Sequence, residues 1–144
     1  MTNLSRRALL TLGAGAVAVV VLGAMTYAPR RTAHAASFEH QYMTVSEMEQ
    51  GGGLIVDIRT PPEWVDTGVI DGAALVTFND PDSFLARIGP QIADGRDIYL
   101  ICRSGNRTQR AADLLSGMID NRIVSVAGGM KEQIKQGYQP VPAR

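Results

Sequence analysis

The sequence is poor in the residues from which most catalytic and metal sites are built. It has one cysteine, Cys102, and two histidines, His34 and His40, among 144 residues. A single cysteine excludes a disulfide within the chain, and the absence of clustered cysteines and histidines argues against a zinc site. Because both histidines precede the main body of the chain, we expect neither a cysteine–histidine dyad nor a serine–histidine–acid triad. Chemistry at Cys102 is therefore expected to depend on backbone groups and arginines, with no metal and no cofactor.

The chain also lacks net charge, with 14 basic and 14 acidic residues. The balance is uneven, because the first 31 residues hold four arginines and no acid, which leaves a mildly acidic remainder. An acidic remainder argues against nucleic acid as a partner. The length is sufficient for one domain with its own hydrophobic core.

Residues 1–36 are typical of an export signal. Arg6 and Arg7 precede 21 uncharged residues, Ala8 to Ala28, and the segment 33–35 fits the small-x-small pattern of a cleavage site. The paired arginines after Ser5 also resemble a twin-arginine signal. Alternatively, residues 8–28 are long enough to span a bilayer as an uncleaved membrane anchor. Both interpretations place the domain outside the cytoplasm, in the periplasm or on the outer face of the inner membrane.

From Tyr42 onward, short apolar runs alternate with helical patterns, which predicts a parallel sheet with crossover helices. Strands are predicted at 54–59, 72–76, 97–102 and 122–129, and a helix over 107–119. Thr44, Thr60 and Asp80 are predicted to cap three other helices, with Ser46 as the alternative to Thr44. The predicted fold class is α/β, with about five parallel strands flanked by helices on both faces, in a domain over residues 42–142.

Cys102 lies where the most strand-like run ends and a helix begins. Its neighbours are two arginines, a glycine and two small polar residues: Arg103, Arg107, Gly105, Ser104 and Asn106. A lone cysteine at a strand end is most often a small buried hydrophobic residue, but such a residue gains nothing from these neighbours. A helix start and two arginines favour a thiolate and an anionic ligand, and glycine allows the tight turn that a cradle needs. The pattern therefore predicts a nucleophilic cysteine that acts on an anion.

Four stretches together resemble the single-domain rhodanese family, the thiosulfate-type sulfurtransferases. The segment CRSGNRT is similar to the family's active-site loop, and LIVDIRTPPEW to its aspartate-x-arginine strand end followed by glutamate and an aromatic residue. GVIDGAALV resembles its Gly-His-Ile-x-Gly-Ala stretch, and VAGGM with GYQPV its closing glycine pair and tail. Val69 replaces the family's usual histidine and Gln133 its usual tryptophan, which we expect to affect local packing rather than chemistry.

This resemblance implies a reaction and the residues that carry it. Cys102 would attack the sulfane sulfur of an anionic donor such as thiosulfate, form a persulfide and pass the sulfur to cyanide or a thiol acceptor. The backbone amides of residues 103–107 would hold the donor, and two of the five residues, Arg103 and Arg107, would orient it. Ser104, Gly105 and Asn106 complete this predicted substrate-binding loop. The reaction would be of the ping-pong type, with a covalent intermediate.

Two alternatives to a sulfurtransferase remain. A phosphatase or arsenate reductase of the same fold would need an arginine after five residues, where this chain has Thr108 and places Arg107 one position early. A non-catalytic persulfide carrier or binding module would use the same cysteine without turnover on small molecules.

Asp57 and Arg59 end the first predicted apolar strand and are candidates for a charged group near the site. We favour a structural ion pair, in which Arg59 binds Asp57 or Glu63 and locks the turn after the strand. An arginine at the start of a capped turn fits this role, and the loop already has charges enough for an anion.

Overall fold

The computed structural model describes residues Ser37 to Arg144. The export signal predicted over residues 1–36 lies outside the described residues. Between Ser37 and Arg144, no helix combines the length and the apolar character that a membrane span requires.

The described part of the chain forms one five-stranded sheet in which all neighbouring strands are parallel. The strand order is β1-β5-β4-β2-β3. The strands are β1 (Glu39–Gln41), β2 (Leu54–Asp57), β3 (Ala74–Leu75), β4 (Ile98–Ile101) and β5 (Ile123–Val126). The helices are α1 (Val45–Gly51), α2 (Pro61–Thr67), α3 (Pro81–Ile92), α4 (Asn106–Ser116) and α5 (Gly129–Lys135). The predicted α/β class and the five-stranded parallel sheet are confirmed.

Helices cover both faces of this sheet. Phe84 and Ile88 of α3 pack with Leu115 of α4 in one apolar cluster, whereas Met48 of α1 and Met130 of α5 belong to a second cluster. All four residues of the central strand β4 are buried. This burial explains why the strand is a continuous apolar run rather than an alternating one.

Helix starts follow the capping residues that the sequence predicts. The Thr44 hydroxyl accepts the amide of Glu47 at 3.2 Å, and the Glu47 carboxylate accepts the amide of Thr44 at 2.7 Å. Asp80 accepts the amide of Ser83 at 2.9 Å at the start of α3. The helix predicted over residues 107–119 corresponds to α4. The observed helix ends three residues earlier than predicted, at Ser116, with Gly117 as its C-terminal cap.

The residues that replace the family's usual histidine and tryptophan have structural contacts of their own. Val69 forms an antiparallel bridge with Val141 through two backbone hydrogen bonds of 2.8 and 2.9 Å. The buried Gln133 side chain accepts the amide of Val45 and donates to the carbonyl of Met43 at 2.7 Å. Both therefore tie distant parts of the chain together, as expected for positions that affect packing.

Candidate active site

Cys102 directly follows β4, the central strand, at the carboxyl edge of the sheet. In open parallel α/β sheets, ligands bind at this edge. The helix α4 begins four residues later at Asn106, with Gly105 as its N-cap residue. The structure therefore places Arg103, Ser104 and Gly105 in a tight turn between β4 and α4, and Asn106 and Arg107 in the first turn of the helix.

The sulfur atom of Cys102 is held inside this turn. The Gly105 amide donates to Sγ at 3.1 Å, and the Thr108 hydroxyl oxygen lies 3.9 Å from Sγ. The residue as a whole is 1% exposed. A backbone N–H and a helix N-terminus directed at sulfur stabilise negative charge there, because both present the positive end of a dipole. The backbone donor therefore favours a thiolate, while the residue also belongs to the apolar cluster that includes Leu115.

The carbonyl groups of the turn are fixed from the other side by α5. The amide of Met130 donates to the Cys102 carbonyl at 2.8 Å, and the amide of Lys131 donates to the Arg103 carbonyl at 3.1 Å. Gly129 precedes them with a φ of 55°. A Cβ atom on Gly129 would lie 2.7 Å from the Arg103 carbonyl carbon and from the Ser104 amide nitrogen, and closer still to the Cys102 carbonyl oxygen. The turn therefore rests on the bare backbone of Gly129.

We expect Gly129→Ala to reduce the reaction rate of Cys102 far more than the control substitution Gly72→Ala does. The methyl group has no room unless the turn moves, and displacing a reacting atom by about 1 Å costs roughly a hundred-fold in rate. Gly72→Ala is the matched control, since Gly72 has a φ of 73° and no atom within 4 Å of its would-be Cβ. Both variants lose about 1–2 kcal/mol of unfolding free energy, because alanine is unfavourable in the left-handed backbone region. Equal activity of the two variants, measured as the rate of Cys102 modification, would contradict this role of Gly129.

The two arginines near Cys102, Arg103 and Arg107, have different surroundings. The Arg107 guanidinium forms two hydrogen bonds with the Glu63 carboxylate, at 2.5 and 2.9 Å. Glu63 is the main cause of the raised pKa of Arg107, and the charges of Cys102 and Asp57 raise it further. Within residues 37–144, the guanidinium of Arg103 has neither a hydrogen bond nor an ion pair, and Arg103 is exposed. Arg103 is therefore available to an anion, whereas Arg107 is already neutralised.

Glu63 connects the start of α2 with the first turn of α4. Its carboxylate accepts the Thr60 amide and hydroxyl, both at 3.0 Å, at the start of α2, and also binds Arg107 on α4. The Arg107 side chain, and then the Thr60 groups, lower the pKa of Glu63 from its ordinary 4.5 to about 2. Glu63 is thus a helix cap that also restrains the first turn of α4, and it stays charged at any physiological pH.

Asp57 and Arg59 form the structural ion pair that we favour from the sequence. Arg59 is 1% exposed, and its guanidinium donates to the Asp57 carboxylate at 2.6 to 3.0 Å. The remaining donors reach the hydroxyl of Thr67 and the backbone carbonyls of Glu63 and Gly68. Arg59 therefore holds both ends of α2 and has little capacity left for a ligand.

A cavity of about 160 Å³ lies beside the turn. Its wall includes Arg103 and Lys131, whose ammonium group has no partner within the described part of the chain. The other lining residues come from α2, α5 and the end of β2: Arg59, Glu63, Asp66, Thr67, Met130 and Ile134. The volume suits a small molecule rather than a large one.

Sequence reasoning did not identify Lys131 or the pairing of Glu63 with Arg107. Lys131 belongs to the closing helix, and its place at the site follows from the contact of α5 with the turn. The glycine pair at 128–129 was the available signal, because a glycine often marks a close approach of two backbones. From the sequence, Glu63 was a candidate partner of Arg59. The Arg59 guanidinium donates to the backbone carbonyl of Glu63 and not to its carboxylate.

The fold and the site together thus define the class of the protein. It is an α/β domain with a cysteine turn at the carboxyl edge of its central strand. The sequence model of the rhodanese-like domain matches residues 43–136, more than half of the chain. The chain belongs to the rhodanese-like domain family. No curated protein matches the chain.

Solved structures of several proteins share this fold. A rhodanese-related protein from Thermoplasma volcanium is 24% identical, with a TM-score of 0.53 over 68% of this chain and 94% of its own. A protein from Staphylococcus saprophyticus is 28% identical, with a TM-score of 0.53 over 67% of this chain and 96% of its own. A Rhodopseudomonas palustris protein, described as of unknown function and a possible tyrosine phosphatase, is 25% identical, with a TM-score of 0.57 over 74% and 86%.

Proposed function

We propose that the protein is a sulfurtransferase that moves a sulfane sulfur from an anionic donor such as thiosulfate to cyanide or a thiol. The observation that carries the proposal is the setting of Cys102, whose sulfur accepts the Gly105 amide at 3.1 Å at the start of a helix. Arg103 follows Cys102 in the same turn and has no partner among the described residues, and membership of the rhodanese-like domain family supports the handling of sulfur donors and acceptors in general.

The reaction has two steps. In the first, the Cys102 thiolate attacks the outer sulfur of thiosulfate, so that a new S–S bond forms, the S–S bond of the donor breaks and sulfite leaves with the electron pair. In the second, the acceptor attacks the outer sulfur of the persulfide, and Cys102 returns as a thiolate. The Gly105 amide stabilises the negative sulfur at both ends of the cycle, and Arg103 binds the sulfonate part of the donor.

A phosphatase is the second candidate, because one structural neighbour is described as a possible tyrosine phosphatase. Two features of this chain argue against it. Thr108 occupies the position at which an arginine would complete the larger phosphate loop, and its hydroxyl instead donates to the Gly105 carbonyl at 2.8 Å. Arg107, one position earlier, is bound to Glu63. The turn is therefore built for a sulfur atom rather than for a phosphoryl group.

The proposal is tested by measuring steady-state turnover with thiosulfate and cyanide, together with the intact mass of the protein after exposure to thiosulfate alone. A sulfurtransferase gives thiocyanate continuously and carries one sulfur atom on Cys102. A persulfide carrier gives the same mass increase but negligible turnover. Hydrolysis of an aryl phosphate without any mass increase would indicate the phosphatase instead.

We expect Arg103→Ala to raise the KM for thiosulfate roughly three- to ten-fold, the size of one lost hydrogen bond. Arg107→Ala is expected to change this KM less and to lower stability, because it leaves the half-buried Glu63 carboxylate without its partner. Added salt should weaken thiosulfate binding more in the parent than in Arg103→Ala, in which Lys131 is the remaining cation without a partner among the described residues of the cavity wall. Arg110→Ala, which removes an exposed arginine further along α4, is the control. A larger KM effect at Arg107 than at Arg103 would reverse this assignment.

We also propose that the domain acts outside the cytoplasm. The paired arginines, the apolar residues 8–28 and the small-x-small site at 33–35 support export by a cleaved signal or attachment by an uncleaved anchor. Intact mass of the protein isolated from the cell envelope distinguishes the two, because cleavage removes the N-terminal residues. Recovery of the full-length protein in the cytoplasmic fraction would contradict both.

A further inference from the structure

A row of hydrogen-bonding side chains connects the Cys102 sulfur to a histidine on the edge strand. The Thr108 hydroxyl lies 3.9 Å from the sulfur, the Ser125 hydroxyl lies 2.8 Å from that of Thr108, and His40 Nδ1 lies 2.9 Å from the Ser125 hydroxyl. The sheet creates the last contact, because His40 is the residue opposite Ser125 in the pairing of β1 with β5. The row therefore joins four elements of the fold. It consists of Cys102, which directly follows β4, and of Thr108 of α4, Ser125 of β5 and His40 of β1.

This row leads from the interior to the surface. Cys102, Thr108 and Ser125 are at most 1% exposed, whereas His40 is exposed. The neighbours of Ser125 on β5, Val124 and Val126, are fully buried and apolar. A hydroxyl buried among such residues is unfavourable unless it is hydrogen-bonded. Among residues 37–144, the Ser125 hydroxyl is hydrogen-bonded only to Thr108 and His40.

Each member of the row can both donate and accept a hydrogen bond, so the row has two arrangements. In one, the Cys102 thiol donates to Thr108, Thr108 donates to Ser125, and Ser125 donates to Nδ1 of a neutral His40. In the other, the His40 imidazolium donates to Ser125 and Ser125 to Thr108. The Thr108 hydroxyl then donates to the Gly105 carbonyl, 2.8 Å away, while the Gly105 amide stays on the thiolate.

We propose that His40 is the proton acceptor of Cys102, reached through the hydroxyls of Thr108 and Ser125. The S–H bond of Cys102 breaks and its proton moves to Thr108, the proton of Thr108 moves to Ser125, and that of Ser125 forms the N–H bond of His40. A thiolate and an imidazolium replace a thiol and an imidazole, so that atoms and charge balance. The inference shares with the proposed function the premise that Cys102 reacts as a thiolate.

His40 acts on the sulfur only through the two hydroxyls and does not touch a substrate. A histidine suits this role because its charge changes near neutral pH. Glu39 is adjacent to His40 on β1, and Arg122 directly precedes β5. Arg110 and Asp113 of α4 line a cavity together with Phe38, two residues before His40. Glu39 and Arg122 form an ion pair of 2.6 Å with each other.

The test compares variants that interrupt the row with variants that preserve it. The readout is the thiolate absorbance in the ultraviolet across pH 5 to 8, the range in which histidine changes charge, with the spectrum of Cys102→Ser subtracted. We expect Ser125→Ala and His40→Gln each to lower the thiolate fraction at neutral pH about two- to ten-fold, as for one lost hydrogen bond. The double variant should lose no more than either single one, because both interrupt the same row.

Two controls separate this role from a structural one. Ser125→Thr keeps a hydroxyl and should keep the thiolate. Gln41→Ala removes an exposed neighbour of His40 on the same strand, and its Cys102 thiolate fraction should equal that of the parent. The proposal is wrong if the Cys102 thiolate fraction of His40→Gln equals that of the parent and the two proteins melt at the same temperature. The hydroxyls would then serve packing alone. Because no sulfur donor is used, a parent protein that ionises as expected yet transfers no sulfur would refute only the proposed function.

Discussion

Replacing Cys102 by serine should reduce sulfur transfer to the rate of the uncatalysed reaction and abolish the gain of sulfur mass. Serine is nearly isosteric with cysteine, and its oxygen can still accept the Gly105 amide that binds the sulfur at 3.1 Å. The fold should therefore persist, whereas the nucleophile and the atom that carries the persulfide are both lost. Because Cys102 is the only cysteine, no other thiol in the chain can replace it.

Turnover with thiosulfate and cyanide, intact mass and thermal melting on the same preparation check this prediction. Unchanged melting with no turnover is the expected combination. Turnover within a few-fold of the parent would mean that the sulfur passes through another group, and the assignment of Cys102 as nucleophile would fail.

Arg59→Ala should be the most destabilising substitution among the charged residues, by about 3–5 kcal/mol of unfolding free energy. The substitution leaves the fully buried Asp57 carboxylate without its cation and removes donors from Thr67 and two carbonyl groups. Arg59→Lys is expected to recover only part of the loss, because an ammonium lacks the planar fork that reaches all of these acceptors. Urea unfolding measures the effect.

The chain contains its own control for this prediction. Asp94 and Arg96 repeat the spacing of Asp57 and Arg59, with hydrogen bonds of 2.6 to 3.1 Å between the same groups, but on the exposed surface. Exposed pairs contribute little, since water screens them. Arg96→Ala should therefore leave stability nearly unchanged. Similar losses in the two alanine variants would show that burial is not what makes the Asp57–Arg59 pair important.

The sequence predicts the buried strands well, but it does not predict the edge strand β1. β2, β4 and β5 are continuous apolar runs because helices cover both faces of the sheet, and such runs are visible in a single sequence. β1 is Glu39-His40-Gln41, with all three residues exposed. Nothing in its composition indicates a strand, because its place in the sheet depends on backbone pairing with β5, more than 80 residues away.

The cysteine turn could be predicted because its residues are contiguous, and its partners could not because they are scattered. Gly129 packs on the turn, whereas Glu63 binds Arg107 and Ser125 binds Thr108 in the first turn of α4. His40 lies before the segment in which the domain was expected to begin, so its approach to Ser125 had no local signal. The parallel pairing of β1 with β5 brings the two together, and pairing of this kind is a property of the topology rather than of any window of sequence.

The support of the cysteine turn by α5 also has a consequence for the order of folding. The amides that fix the Cys102 and Arg103 carbonyls belong to Met130 and Lys131, close to the end of the chain. During synthesis, the residues of the turn are therefore made before the backbone on which they rest, and the strand that pairs with β1 is made later still than β4. Domains of this kind complete their long-range pairings late. A nascent chain thus contains the residues of the cysteine turn without the amides that fix their carbonyl groups, and the turn reaches its folded geometry only as the last helix docks.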